Sequence, residues 1–172
     1  MAKSKAKVID LDKIELAAAM QARTAIRTAT VQEYAEAMRA GIEFPPIDVM
    51  PVEGHETNHL YCVIDGWHRV QAARETGATA IHAIVHPHGT EAEAMWMAAA
   101  ANISHGLRRT NADKARAVTL AIAAKPDATY EQIAAQCGVS ASMVASYFAA
   151  MQQVDDANAA QQEEPVAVQH ER

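Results

Sequence analysis

Apolar and polar positions repeat with two different periods along this chain, and the change of period divides it. Up to residue 88, short aliphatic runs with a period near two are interleaved with helical stripes. From Thr90 onward only the helical period remains. Val8, Ile9 and Leu11 predict a first strand, and Ile47, Val49 and Met50 a second. Residues 60–64 and 80–85 predict two more. Thr30-Val31-Gln32-Glu33 has the form of a capping box, so a helix is expected to start there. Val31, Tyr34, Ala35 and Met38 form its apolar stripe and Gly41 ends it. Phe44-Pro45-Pro46 stops any helix before the second strand. Residues 53–58, with Gly54, form a polar loop. Val70, Ala72 and Ala73 lie on a helix running to about Thr76. Thr90-Glu91-Ala92-Glu93 and Thr129-Tyr130-Glu131-Gln132 are further capping boxes, and Thr110-Asn111-Ala112-Asp113 begins a helix between them.

Strands interleaved with helices, then helices alone, predict an α+β fold: a small mixed sheet with helices, followed by an all-helical segment. The expected divisions are a flexible N-terminus over 1–7, the α+β domain over 8–89, a helical segment over 90–151, and a disordered acidic tail over 152–172.

Composition narrows the class. Half the residues are hydrophobic but only 5% are aromatic, which fits an alanine-rich, helix-rich core. No apolar run approaches the ~20 residues of a membrane span. The lysines at 3, 5 and 7 have no apolar signal region behind them, so no membrane association and a cytoplasmic location are expected. Cys62 and Cys137 are too few for a disulfide framework or a zinc site and read as buried thiols. The net charge of -6 sits entirely at the C-terminal end. Residues 1–125 carry 14 basic and 14 acidic side chains, whereas residues 126–172 carry Arg172 against seven acids.

Candidate chemistry concentrates at Asp65-Gly66-Trp67-His68-Arg69. This stretch joins a strand to a helix, and glycine there lets the backbone turn tightly and approach a ligand. His68 and Arg69 fall in the first helical turn, where free N–H groups and the positive dipole end favour an anion. Cations gain nothing from that end of a helix, so their presence points to a bound phosphate. The alternative is an ordinary turn with solvated side chains.

A second constellation lies at residues 129–151. Ala134, Gly138 four residues on and Val144 ten on are small, glycine and β-branched where two helices must cross, so a helix-turn-helix is expected. Its second helix carries no Lys or Arg and can offer DNA only Ser140, Ser142, Ser146 and Gln152 or Gln153. Phosphate attraction supplies most nonspecific affinity. Any DNA contact therefore calls on Arg108, Arg109, Lys114, Arg116 and the N-terminal lysines.

Four stretches, in order, resemble the ParB-like N-terminal domain of the ParB/sulfiredoxin fold. They are Gln21-Ala22-Arg23; Phe44-Pro45-Pro46-Ile47-Asp48-Val49; residues 63–73 around the central turn; and Ala101-Asn102-Ile103 through Arg108-Arg109. The resemblance covers about residues 8–150 and resembles short plasmid- or phage-type partition proteins. It implies a nucleoside triphosphate, CTP before ATP, held with Mg2+ by Arg23, Gly66, Trp67, His68 and Arg69. Asn102 would help hold the metal, and His105 stands where the family often has arginine. Ala101 replaces a family glutamate. Trp67 stands where sulfiredoxins need a catalytic cysteine, so that activity is not expected. The implied function is a nucleotide-responsive DNA-binding or regulatory protein, with homodimerisation left open. The rival is a nuclease or nucleotide hydrolase, with Asp65, His68, His86 and His88 converging on a metal. A third reading is a protein-interaction module built on the uncharged helix-turn-helix.

Overall fold

In the computed structural model, residues 5–53, 61–101, 103 and 108–162 are described. Five strands form one mixed sheet: β1 (Lys7–Asp10), β2 (Ile14–Glu15), β3 (Ile47–Met50), β4 (Tyr61–Asp65) and β5 (Ala80–Val85), in the order β1-β5-β3-β4-β2. β1 is antiparallel to β5, β5 parallel to β3, β3 antiparallel to β4, and β4 parallel to β2. The two-residue β2 escaped the sequence reading because so short a run has no legible period. Val49 pairs with Val63 and Asp48 with Asp65, which leaves Ile64 as an extra residue on β4. Such a bulge bends a strand and re-aims its side chains. Here it lies where β4 enters the central turn.

Both faces of the sheet are covered. Ile14, Ile47, Val49, Val63 and Val70 form one core beneath α2 (Trp67–Glu75), and Val31, Ala35 and Ala72 pack α1 (Thr28–Arg39) against α2. Met20, Met50, Cys62 and Ile64 meet Ala94 and Ala98 of α3 (Glu91–Ala99) on the other face. Small alanines suit this layer because they let helix and sheet approach closely.

The expected start of α1 at a Thr30 cap is corrected. The helix begins at Thr28, Arg27 is its N-cap, and Thr30 is buried inside it. A bond from the Arg27 amide to His68, 41 residues away, fixes that start, and no local pattern could reveal it. The capping boxes at Thr90 and Thr129 form as expected, and Thr110, expected only to begin a helix, carries one as well.

α4 (Asn111–Ala124), α5 (Tyr130–Cys137) and α6 (Ala141–Gln162) make the helical segment. Ala117, Val118, Leu120, Ile133, Ala134, Cys137 and Val144 form its core. Gly138 ends α5 in the left-handed region at φ 62°, and α5 and α6 are bent by 106° across the turn. That is helix-turn-helix geometry. α6 continues through residues 152–162, which the sequence reading placed in a disordered tail. Alanine and glutamine are strong helix formers, which suits the continuation of the helix. No single helix among the described residues is long and apolar enough to cross a membrane.

Candidate functional site

The central turn borders a cavity of about 310 Å³, with Gln21, Ala22 and Arg23 on one side and Phe44, Pro45 and Pro46 on another. Tyr34 and Phe44 make an aromatic wall, their ring centroids 4.8 Å apart, and Trp67 also lines the space. Asp48 and Asp65, cross-strand partners at the ends of β3 and β4, both line it.

Gly66 is the N-cap of α2, at φ 108° and ψ 22°. A side chain there would collide with Ile47, with its Cβ 2.9 Å from Ile47 Cβ and 3.1 Å from Arg69 Nη2. The glycine is thus required by packing as well as by backbone conformation. It also leaves α2 without a side-chain cap, whereas α3, α4 and α5 each carry a complete capping box. The first-turn amides of α2 keep their capacity to donate to an anion.

The side chains of this turn have protein partners that the sequence did not suggest. His68 is buried, and its Nε2 accepts the Arg27 amide at 3.0 Å. A ring nitrogen that accepts is unprotonated. Burial, with the Arg23 and Arg27 charges beside it, lowers the imidazole's affinity for a proton. His68 therefore sits as a neutral ring bracing α1 against α2, and its Nε2 cannot donate to a phosphate.

Arg69 reaches back over the turn. Its Nη1 donates to the carbonyls of Pro45 and Pro46 at 2.6 and 2.7 Å, and its Nη2 donates to Asp65 Oδ2 at 2.9 Å. These bonds fix the proline wall and neutralise one carboxylate of the cavity. Arg69 shapes the site, and its charge is already partnered.

Arg23 lines the cavity and lies 3.5 Å from Asp113. Asn102 and His105 lie outside the described residues. Ala101, at the family's glutamate position, lines the cavity. The rival metal cluster does not assemble. His86 Nε2 lies 2.7 Å from Asp48 Oδ1, His88 lies 3.7 Å from Glu53, and His68 is held by Arg27. Among the described residues, no three His, Cys, Asp or Glu side chains form a group able to hold a metal ion.

Both thiols are buried, and desolvation pushes each up to about 11. Thiols so rarely ionised are inert at neutral pH.

The basic residues expected on DNA divide into two kinds. Arg109 Nη1 donates to the Cys137 carbonyl at 3.0 Å, a cation at the C-terminal end of α5, where the helix dipole favours it. Its Nη2 is buried with no hydrogen-bond partner among the described residues. Arg116 donates to the carbonyls of Gln21 and Ala18. Both guanidinium groups tie distant segments of the fold together. Arg108 is exposed and Lys114 half-exposed. On α6, Ser142 and Ser146 are exposed, Ser146 donates to the Ser142 carbonyl, and Ser140 Oγ accepts the Met143 amide.

Three features escaped the sequence reading. Asp48 is paired with His86, Arg74 ties α2 to the carbonyls of Leu11 and Ile14, and Asp113 reaches across the molecule to Thr24. Each partnership spans 38 or more residues, so no motif contains it.

A curled mixed sheet with an uncapped helix over a lateral cavity, followed by packed helices, defines an α+β fold of the ParB/sulfiredoxin type. The ParB N-terminal domain family matches residues 1–103, and the chain belongs to it. A Streptomyces griseus protein, described as "Streptomycin biosynthesis operon possible regulatory protein", is 35% identical over 105 residues. The match takes in 61% of this chain and 28% of that protein, so the chain spans little over a quarter of its relative's length. Two structures of the C-terminally truncated chromosome-partitioning protein ParB from Caulobacter crescentus are similar in fold. The complex with CTP-gamma-S has a TM-score of 0.50 at 19% identity, covering 83% of this chain and 76% of that one. The complex with the centromeric parS site has a TM-score of 0.54 at 17% identity, covering 82% and 69%.

Proposed function

We propose that this chain is a nucleotide-responsive, DNA-associated regulatory protein that binds a nucleoside triphosphate at the α2 N-terminus. The observation that carries the reading is the uncapped first turn of α2 at Gly66, bordering a cavity that also holds Arg23 and the Tyr34–Phe44 wall. Backbone donors and a guanidinium suit phosphates, and aromatic faces suit a base. The Caulobacter structures, one with a CTP analogue and one with parS DNA, support CTP as the first nucleotide to test and DNA as the partner of the helical segment. Mg2+ takes one or two carboxylates beside phosphate oxygens. Asp48 and Asp65 line the cavity, and a Mg2+ ion there would have to share them with their present partners, His86 and Arg69.

Calorimetry with CTP, ATP and GTP, each with Mg2+, tests the reading. One nucleotide should bind, with heat lost when Arg23 is replaced by alanine. A silent titration with all three removes the nucleotide. Mobility-shift assays with and without the bound nucleotide test the DNA partner. Nucleotide binding with no DNA shift at low salt would favour a protein partner for the helix-turn-helix.

A further inference from the structure

Both carboxylates of the cavity already have partners within the chain. Asp65 Oδ2 accepts a hydrogen bond from Arg69 Nη2 at 2.9 Å, and Asp48 Oδ1 lies 2.7 Å from His86 Nε2. The Arg69 guanidinium is also held from the other side, because its Nη1 donates to the carbonyls of Pro45 and Pro46 at 2.6 and 2.7 Å. The Arg69 side chain is 14% exposed, and its Nη2 lies 3.1 Å from where a Cβ on Gly66 would stand. A permanent cation is thus fixed over the turn itself, beside the first residue of α2.

This set of donors does not fit a resident Mg2+ ion. Mg2+ demands near-octahedral geometry and binds through one or two carboxylates beside phosphate oxygens. To reach Asp65 it would lie against a guanidinium tied by three hydrogen bonds, and like charges in one site repel. To reach Asp48 it would compete with His86. Ala101 adds a methyl group to the wall where the family likeness implies a carboxylate. A phosphate has other donors here. The first turn of α2 has no side-chain cap, and Arg23 lines the cavity. Backbone N–H groups at a helix N-terminus bind anions directly, with no metal between.

We propose that the cavity binds its nucleotide without a divalent cation, the Arg69 guanidinium occupying on Asp65 the place that a metal would take. The inference rests on the nucleotide reading above, and it departs from the Mg2+ that the family likeness implies.

The test is calorimetry on the full chain with CTP, ATP and GTP, each in excess EDTA and in excess Mg2+. The nucleotide that binds should do so at least as tightly in EDTA. In Arg69→Gln the Asp65 carboxylate is released, and Mg2+ should then raise the affinity by about tenfold or more, the low end of what a hydrogen bond to a charged group contributes. A second measurement needs no variant that folds. Mn2+ added to the unmodified protein without nucleotide should stay free, as read by the electron paramagnetic resonance signal of the free ion. Weaker nucleotide binding by the unmodified protein in EDTA than in Mg2+ overturns the proposal. So does Mn2+ that the unmodified protein retains and Asp48→Asn releases, and so does a folded Arg69→Gln variant that is as indifferent to Mg2+ as its parent. Silence of all three nucleotides in both solutions is a different result: it removes the nucleotide from the cavity, and this proposal with it.

Discussion

Gly66→Ala separates the demands of packing from those of ligand approach. Two costs follow from the structure. The backbone at φ 108° lies where an L side chain is strained, which costs roughly 1–2 kcal/mol. The added Cβ also enters space held by Ile47, which is fully buried and cannot swing aside. Overpacking of that kind typically costs about 1–3 kcal/mol. The sum, about 2–5 kcal/mol, is a large part of the roughly 5–15 kcal/mol that holds a domain folded. Urea unfolding followed by circular dichroism, with no nucleotide present, should show the loss directly. Ile47→Ala alone should cost about 2–5 kcal/mol through the cavity it leaves. In the double variant the Ile47 Cγ2 contact is gone, while Ile47 Cβ still lies 2.9 Å from the new methyl group. The combined loss should then fall short of the sum by part of the overpacking cost of about 1–3 kcal/mol. A Gly66→Ala protein within 1 kcal/mol of the parent, or strict additivity in the cycle, would refute the packing argument. The glycine would then serve ligand approach alone.

Five further outcomes are expected. His68 is held neutral, so its contribution to stability is complete above about pH 6.5 and declines as pH falls through its lowered folded value; His68→Gln should flatten the urea midpoint over that window, and an unchanged pH profile would contradict the Arg27 bond. Asp113 adds a separate loss in more acidic solution, below about 3.8, because its folded value is depressed. Arg116→Ala and Arg109→Ala should each cost roughly 1–3 kcal/mol of stability, since each removes a charged donor from a backbone carbonyl. If the chain binds DNA, Arg108→Ala with Lys114→Ala should instead flatten the log affinity against log salt slope by about 2, which filter binding at several salt concentrations would check. In a Trp96→Phe background, Trp67 emission should shift on saturation with CTP, because Trp67 lines the cavity; no shift at proven saturation would exclude contact.

Much of the fold was legible locally. The capping boxes at Thr90 and Thr129 and the left-handed Gly138 are each decided within about four residues, and all three appear where the pattern put them. The central strands β3 and β4, covered on both faces, are legible as short aliphatic runs. The candidate site was legible only as a place. The Asp65–Arg69 turn does border a cavity with Arg23, but the roles of its side chains were not readable. Dipole reasoning points His68 and Arg69 toward a phosphate and is silent about the Arg27 amide and the Pro45 and Pro46 carbonyls that they meet. Charge counting assigned Arg109 and Arg116 to DNA for the same reason: a sequence shows that a residue is charged and is silent about its partner.

The sequence by itself determined most of the elements, the turn and the helix-turn-helix, because these depend on backbone preferences and on spacings of ten residues or fewer, and the family likeness, because four such short stretches recur in order. Only the tertiary structure decided the start of α1, the neutral state of His68, the clamp made by Arg69 and the reach of Asp113 to Thr24 across 89 residues. A buried polar group must find a partner when it leaves water, and which partner it meets depends on how distant segments pack.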